Sequence, residues 1–238
     1  MRATGLDPRE MLLDNPIWSA LRTEQKSLAQ VAGAARRYPP AIGPLAGTPD
    51  QSAESYESLE VLAGPGGIVG LFFVDPPAQP SGWSLFRGGV LTQMICRAPR
   101  PMKSPALPAG IRRRRLGAED VMAMIDLATL TEPGPFRERT IELGNFYGIF
   151  EGERLMAMAG QRMRVPGFVE VSAVCTHPDA RGRGYAAVLM SEVMRDIAAE
   201  GAVPFLHAFV DNPAVRLYGK LGFVHRRSLQ LAVIKRDQ

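Results

Sequence analysis

The stretch from Val174 to Ala186 reads Val-Cys-Thr-His-Pro-Asp-Ala-Arg-Gly-Arg-Gly-Tyr-Ala, an apolar run that passes through a turn with two glycines into an amphipathic segment. A strand feeding a helix through such a loop leaves backbone N–H groups and the positive end of the helix dipole without partners, which makes an anion site. Gly182 and Gly184 allow positive φ and close approach of a phosphate, and Arg181 and Arg183 add charge. The same letters, Gly182-x-Gly184-x-x-Ala187, also satisfy the dinucleotide fingerprint. That rival needs its glycines directly after the strand and further strands beyond them. Here His177 to Arg181 intervene, and only 27 residues follow Asp211, the one acidic candidate for a ribose.

Other reactive side chains are sparse. Cys96 and Cys175 are too few for a disulfide framework and lack metal spacing, so a reducing compartment, the cytoplasm, is expected. Cys175 lies in an apolar strand and reads as a small buried residue in preference to an acyl-accepting nucleophile. His177 precedes Pro178 in a turn, His207 lies in the apolar run Phe205 to Val210, and His225 follows Gly222-Phe223. None has a second ligand at metal spacing, and no metal is expected. Gly64-Pro65-Gly66-Gly67 matches a phosphate loop in composition alone; a β-branched and aromatic run follows it, which favours a hairpin turn. Arg112 to Arg115 is the densest basic run, and a strand there divides it between two faces. With a net charge of only +4, no nucleic-acid partner is expected.

These groups need a scaffold, and 238 residues, 46% apolar and 22% charged, can fold as one large domain or two small ones. Met1 to Glu10 has no apolar h-region, and Gly67 to Val74 is far short of the roughly 20 residues of a membrane span. No membrane partner is expected. Prolines 99, 101, 105 and 108 mark residues 99–110 as a linker between an α/β region, 1–98, and a second unit, 111–238. In the first region, Ile17, Leu21 and Leu28 fit a helix, while Leu59 to Ala63, Ile68 to Val74 and Val90 to Ile95 read as strands. The second unit reads βαβββαβαβ: a strand from Ile111, a helix after Ala118-Glu119-Asp120, strands 146–150, 154–164 and 168–176, a helix 186–200, a strand 203–210, a helix 213–221 and a strand 227–234. Meander strands leading into a crossover predict an α/β fold with a mixed sheet covered by helices.

Arg181-Gly182-Arg183-Gly184-Tyr185-Ala186 resembles the R/Q-x-x-G-x-G/A signature of the GNAT superfamily of N-acetyltransferases. Asn212-Pro213-Ala214-Val215-Arg216-Leu217-Tyr218-Gly219-Lys220-Leu221-Gly222-Phe223 resembles its second signature, with the alanine two residues after the asparagine. Two signatures in the right order, separated by a helix and a strand, are far more specific than either alone. The resemblance covers Ile111 to Ile234. In the first half, Leu13-Asp14-Asn15-Pro16-Ile17-Trp18 and Arg36-Arg37-Tyr38-Pro39-Pro40 resemble the amino-terminal region of a bacterial branch of the superfamily, in which that half is a degenerate copy of the same fold.

The resemblance implies transfer of an acetyl group from acetyl-coenzyme A to an amine of a small molecule or peptide by direct attack. The pyrophosphate would lie on the N–H groups from Gly182 to Ala186, Tyr185 included, with Arg181 and Arg183 beside it. The pantetheine arm would follow Val174, Cys175 and Thr176 where two parallel strands splay, with Asn212 near it. A backbone N–H at Val174 or Cys175 would serve as oxyanion donor. Tyr218 matches the general acid that meets the leaving thiolate. Glu170, the only acid on the central strand, is either the base or a carboxylate paired at a solvated strand end. Pro133-Gly134-Pro135-Phe136 falls where the family builds its acceptor pocket. The alternative is a catalytically idle coenzyme-binding sensor or assembly module; a homodimer is compatible with either.

Overall fold

The computed structural model describes residues 7–78, 80–100 and 107–237. The first half holds α1 (Pro16–Arg22), a small sheet of β1 (Gln30–Ala32), β2 (Ala35–Arg37) and β3 (Ala46–Gly47), then α2 (Ala53–Ala63), β4 (Ile68–Phe73) and β5 (Trp83–Ile95). The second half runs β6 (Ile111–Arg115), α3 (Val121–Thr131), β7 (Phe146–Glu151), β8 (Arg154–Val165), β9 (Phe168–Thr176), α4 (Tyr185–Ala199), β10 (Val203–Phe209), α5 (Val215–Leu221) and β11 (Val224–Arg236). This is the order read from the sequence. The prolines Pro101 and Pro105 of the linker lie outside the described residues.

Eight strands form one mixed sheet in the order β4-β11-β5-β10-β9-β8-β7-β6, in which β9 and β10 are parallel and every other pair is antiparallel. The two halves of the chain share it: β5 lies between β10 and β11, and β4 pairs with the far side of β11. A strand from before residue 98 thus completes the sheet that the second half begins.

The helices follow from their apolar rows. On α4, Leu189, Val193 and Ile197 are fully buried with Val188, Met190 and Met194, against Ala157, Val169, Val171 and Leu206 of the sheet. Burial of each large aliphatic side chain stabilises the fold by about 1.5–3 kcal/mol. Across the sheet, Met124 and Leu127 of α3 pack with Phe146, Phe150 and Met158. Leu13, Ile17 and Leu21 reach Phe168, Phe205 and Leu229.

Three local expectations are corrected. Leu59 to Ala63 is not a strand but the last turn and a half of α2, which starts where the Ser52 hydroxyl accepts from Ser55 N–H and buries Tyr56 and Leu59 on one face. Gly64 (φ 69) then caps that helix, so Gly64-Pro65-Gly66-Gly67 joins a helix to β4 and is not a hairpin turn. Leu28 sits in a separate 3-10 turn, Lys26–Leu28, because α1 stops at Arg22.

Candidate functional site

The parallel pair β9 and β10 is in register only from Phe168↔Val203 to Glu170↔Phe205. Beyond that point the strands part. A cavity of about 220 Å³ fills the gap, lined by Val171, Ser172, Ala173 and Val174 on one side and Leu206, His207, Ala208 and Phe209 on the other. Tyr218 and Asn212 close one end, the Glu132 to Pro135 turn covers it, and Pro44, Leu45, Phe72 and Leu91 of the first half form the remaining wall.

A bulge tilts the β9 wall. Between Met158↔Cys175 and Gly160↔Ser172, β9 carries one residue more than β8, and Ala173 adopts φ 52. Glu132, the left-handed residue that ends α3, has φ 49. Among the described residues these are the only non-glycines at positive φ, and both line the cavity. Such strain persists where the surroundings over-determine it, which is common at functional sites. Val174, in the bulge, reaches the cavity wall, whereas the Cys175 side chain is buried in the cluster of Met124 and Phe150. Burial, against hydrogen bonds to Thr131 and Met158, pushes the Cys175 thiol up to about 11, so it is no nucleophile at neutral pH.

Beyond β9 the chain makes a 3-10 turn, Pro178–Ala180, in which His177 Nδ1 accepts from Asp179 N–H, and then the loop into α4. Gly182 (φ 79) and Gly184 (φ 78) are both left-handed. Gly184 is the N-cap, and no side chain caps the helix, so its leading N–H groups are directed at the loop without a protein acceptor from a cap. A Cβ at Gly182 would meet nothing within 4 Å; open space lies over the loop. Arg181 is exposed, and Arg183 donates to the Asp179 carbonyl at 2.9 Å and lies 3.5 Å from Glu151. Tyr185 is buried and packs among the core residues of α4. Ala186 follows it in the first turn, and Thr176 ends β9 just before the loop. These residues fit an anionic, phosphate-bearing ligand.

Tyr218 is 6% exposed, its ring 6.3 Å from Phe223, and burial pushes its hydroxyl up to about 12. Asn212 Oδ1 accepts from Ala214 N–H at 2.9 Å and fixes the turn into α5, whose axis presents Tyr218 to the cavity.

Glu170 differs from both sequence readings. Its side chain is fully buried, gripped by Arg162 through Nε and Nη2 at 2.7 Å each and by His207 Nδ1 at 2.7 Å. Burial raises the carboxyl pKa, but the Arg162 charge and these hydrogen bonds outweigh it and hold Glu170 down to about 2. It is neither a solvated strand-end carboxylate nor one poised to take a proton from an amine. The residues that reach the cavity are Arg162 and His207, with Glu170 behind them.

His207 is fixed as a neutral ring. Gln93 Oε1 accepts from Arg226 Nη1 (2.8 Å) and Gln93 Nε2 donates to the Leu13 carbonyl (2.8 Å), which orients the amide. His207 Nε2, 2.9 Å from Gln93 Nε2, must then accept, and Nδ1 carries the proton toward Glu170. Burial lowers its pKa against the pull of Glu170.

A family model described as FR47-like protein matches residues 146–231, the span from β7 to β11 that contains the glycine loop and Tyr218. The chain is 40% identical to a protein of Novosphingobium aromaticivorans DSM 12444 named for the GNAT family of acetyltransferases, with a TM-score of 0.85 over 95% of this chain and 99% of that one. The chain belongs to the GNAT superfamily. A GCN5-related N-acetyltransferase from Kribbella flavida, 15% identical, shares the GNAT fold with a TM-score of 0.62 over 98% and 97% of the two chains. No curated protein matches the sequence.

In this GNAT chain the sequence signatures place the loop and Tyr218 but not the wall opposite them. Arg87, Glu132 and Arg162 are the charged residues that line the cavity, and none belongs to a signature. Phe136 packs edge-on against Phe146 at 5.7 Å and lines only a small side cavity; Pro133 to Pro135 reach the main one. Among the described residues no cluster of His, Cys, Asp and Glu could hold a metal ion, and no helix is long and apolar enough to cross a membrane.

Proposed function

We propose that the protein transfers an acetyl group from acetyl-coenzyme A to an amine of a small molecule or peptide, by direct attack. The observation that carries this reading is the shared origin of two features at the end of β9: an uncapped helix N-terminus behind two left-handed glycines, and a cavity in the splay of β9 and β10 that holds Tyr218. Acetyl-coenzyme A supplies the acetyl group as an activated thioester. The N–H groups from Gly182 to Ala186 and the Arg181 charge hold the pyrophosphate. The backbone of Val174 to Thr176 and the Asn212 side chain align the pantetheine arm, and Val174 N–H, in the bulge, donates to the acyl oxygen.

Glu132, the one carboxylate among the residues that line the cavity, serves as the base in place of Glu170. It attracts the acceptor ammonium and takes its proton. As the new N–C bond forms and the C–S bond breaks, the Tyr218 hydroxyl donates to the departing sulfur. Of the three ammonium protons one stays on the amide nitrogen, one is matched by that gained by sulfur, and one leaves to solvent through Glu132.

A thermal-shift titration with acetyl-coenzyme A, followed by thiol release against a panel of amines, tests the proposal. Stabilisation with amine-dependent thiol release is expected; no stabilisation overturns it, and stabilisation without release across the panel marks a binding module. A Gly182→Val variant serves as control. A β-branched residue at φ 79 costs about 1–3 kcal/mol in the bound loop geometry, so coenzyme affinity should fall roughly tenfold or more.

A further inference from the structure

The wall that β5 gives the cavity continues outward as an open strand edge. β11 pairs with β5 along Trp83–Ile95, but β10 covers the other side only from Leu91 to Ile95, with one more bond from Val210 N–H to the Val90 carbonyl. A bulge at Phe86, between Leu85↔Ile234 and Arg87↔Val233, interrupts the strand. Between the bulge and Leu91, residues Arg87 to Val90 pair with β11 on one side; on the other, about 13 Å of strand edge has no strand partner among the described residues, and there Val210 takes only the Val90 carbonyl. Gly88 and Gly89 carry no side chain, and the Phe209 ring packs over Gly89 on one face of the strand. Leu85 and Phe86 at its outer end are 54% and 68% exposed, and no proline or lysine guards the segment, as edge strands usually require. Both Arg87 and Leu91, which bracket the edge, line the catalytic cavity.

We propose that the acceptor is an unblocked peptide that adds to this edge as a short antiparallel strand. Since β5 runs inward toward Leu91, an antiparallel peptide presents its amino terminus to the cavity, on the side where Glu132 is available for the ammonium. Backbone hydrogen bonds to the open side of Arg87–Val90 hold the chain with little regard to sequence, and its fourth residue, opposite Arg87, is the one that lies beside Leu85 and Phe86. The assignment rests on the acetyltransferase reading and narrows its acceptor from any amine to a peptide about four residues long.

The test compares alanine amide with unblocked alanine-valine peptides of two, four and six residues, and with a tetrapeptide N-methylated at its interior amides, by thiol release at saturating acetyl-coenzyme A. Expected is a rise in kcat/KM of roughly tenfold or more from amide to tetrapeptide, carried by KM, no further gain at six residues, and loss of the gain on N-methylation. Hydrogen exchange of residues 87–90, with and without the tetrapeptide in coenzyme A, gives an arm that needs no turnover; slowed exchange is expected. Equal kcat/KM for amide and tetrapeptide, or unchanged exchange, overturns the proposal. So does protection without peptide that grows with protein concentration alongside a sedimenting dimer, which assigns the edge to a second copy. Absence of any thermal response to acetyl-coenzyme A instead sinks the acetyltransferase reading on which this one stands.

Discussion

Tyr218→Phe should lower kcat on the order of 10²-fold, the usual worth of a positioned proton donor, and leave the affinity for acetyl-coenzyme A within about threefold. The variant keeps the ring and its edge contact with Phe223, and removes only the hydroxyl. With burial holding that hydroxyl up to about 12, it stays protonated through the whole working range of pH, so it contributes no pKa of its own to the rate profile. A thiolate whose conjugate acid is near 8.5 is too weak a base to take the proton fully from such a group at equilibrium. In the proposed mechanism Tyr218 acts by donating a hydrogen bond as negative charge grows on sulfur, where the low local dielectric makes that bond strong. The distinguishing measurement is therefore pre-steady-state acetyl transfer beside equilibrium coenzyme binding. An unchanged transfer rate removes Tyr218 from the mechanism; a parallel loss of affinity gives it a packing role.

The second half was legible because its punctuation is local. Gly152, Pro166-Gly167 and Gly182-x-Gly184 each sit where the chain must reverse or enter a helix, and the α4 row of Leu189, Val193 and Ile197 has no strand reading. The Leu59 to Ala63 run is ambiguous because four apolar residues around Glu60 fit either period; Ser52, one helical turn before Tyr56, is the signal that settles it. The place of β5 was not legible at all. Its partners, β10 and β11, lie more than a hundred residues further on, and no local pattern encodes such a pairing. For the same reason the cavity wall of Leu45, Phe72, Arg87 and Leu91 stayed hidden, although it joins the half without motifs to the half with them. Glu170 was a nearer miss. Arg162 and Glu170 flank the Pro166-Gly167 turn, four residues before it and three after it, and the extra residue that β8 carries between Gln161 and Arg164 brings them across from each other.

Arg162→Met should cost about 3–5 kcal/mol of stability, because it leaves a fully buried carboxylate with no counter-charge, held only by a neutral imidazole and the Met163 N–H. At roughly 2–4 °C per kcal/mol for a chain of this size, Tm should fall by on the order of 10 °C. The double variant Arg162→Met/Glu170→Leu should recover most of that loss, since a buried pair replaced by apolar groups of similar volume is often neutral or stabilising. Acid gives an independent check. Glu170 is held at about 2 in the folded chain, below its ordinary value near 4.5, so its contribution is complete above that ordinary value and is lost as pH falls through 4.5 toward 2. His207, kept neutral by burial with its pKa below the usual 6.5, acts with the same sign: the unfolded chain takes up its proton first, and stability begins to fall below about pH 6.5. Tm of the wild-type chain should therefore decline in two stages on acidification. In the double variant the lower stage, between about pH 4.5 and 2, should flatten while the upper one persists. A Tm for Arg162→Met equal to that of the wild type would show that the Arg162–Glu170 pair carries no net stability, and with it would go the account of Glu170 as the fixed anchor behind the cavity wall.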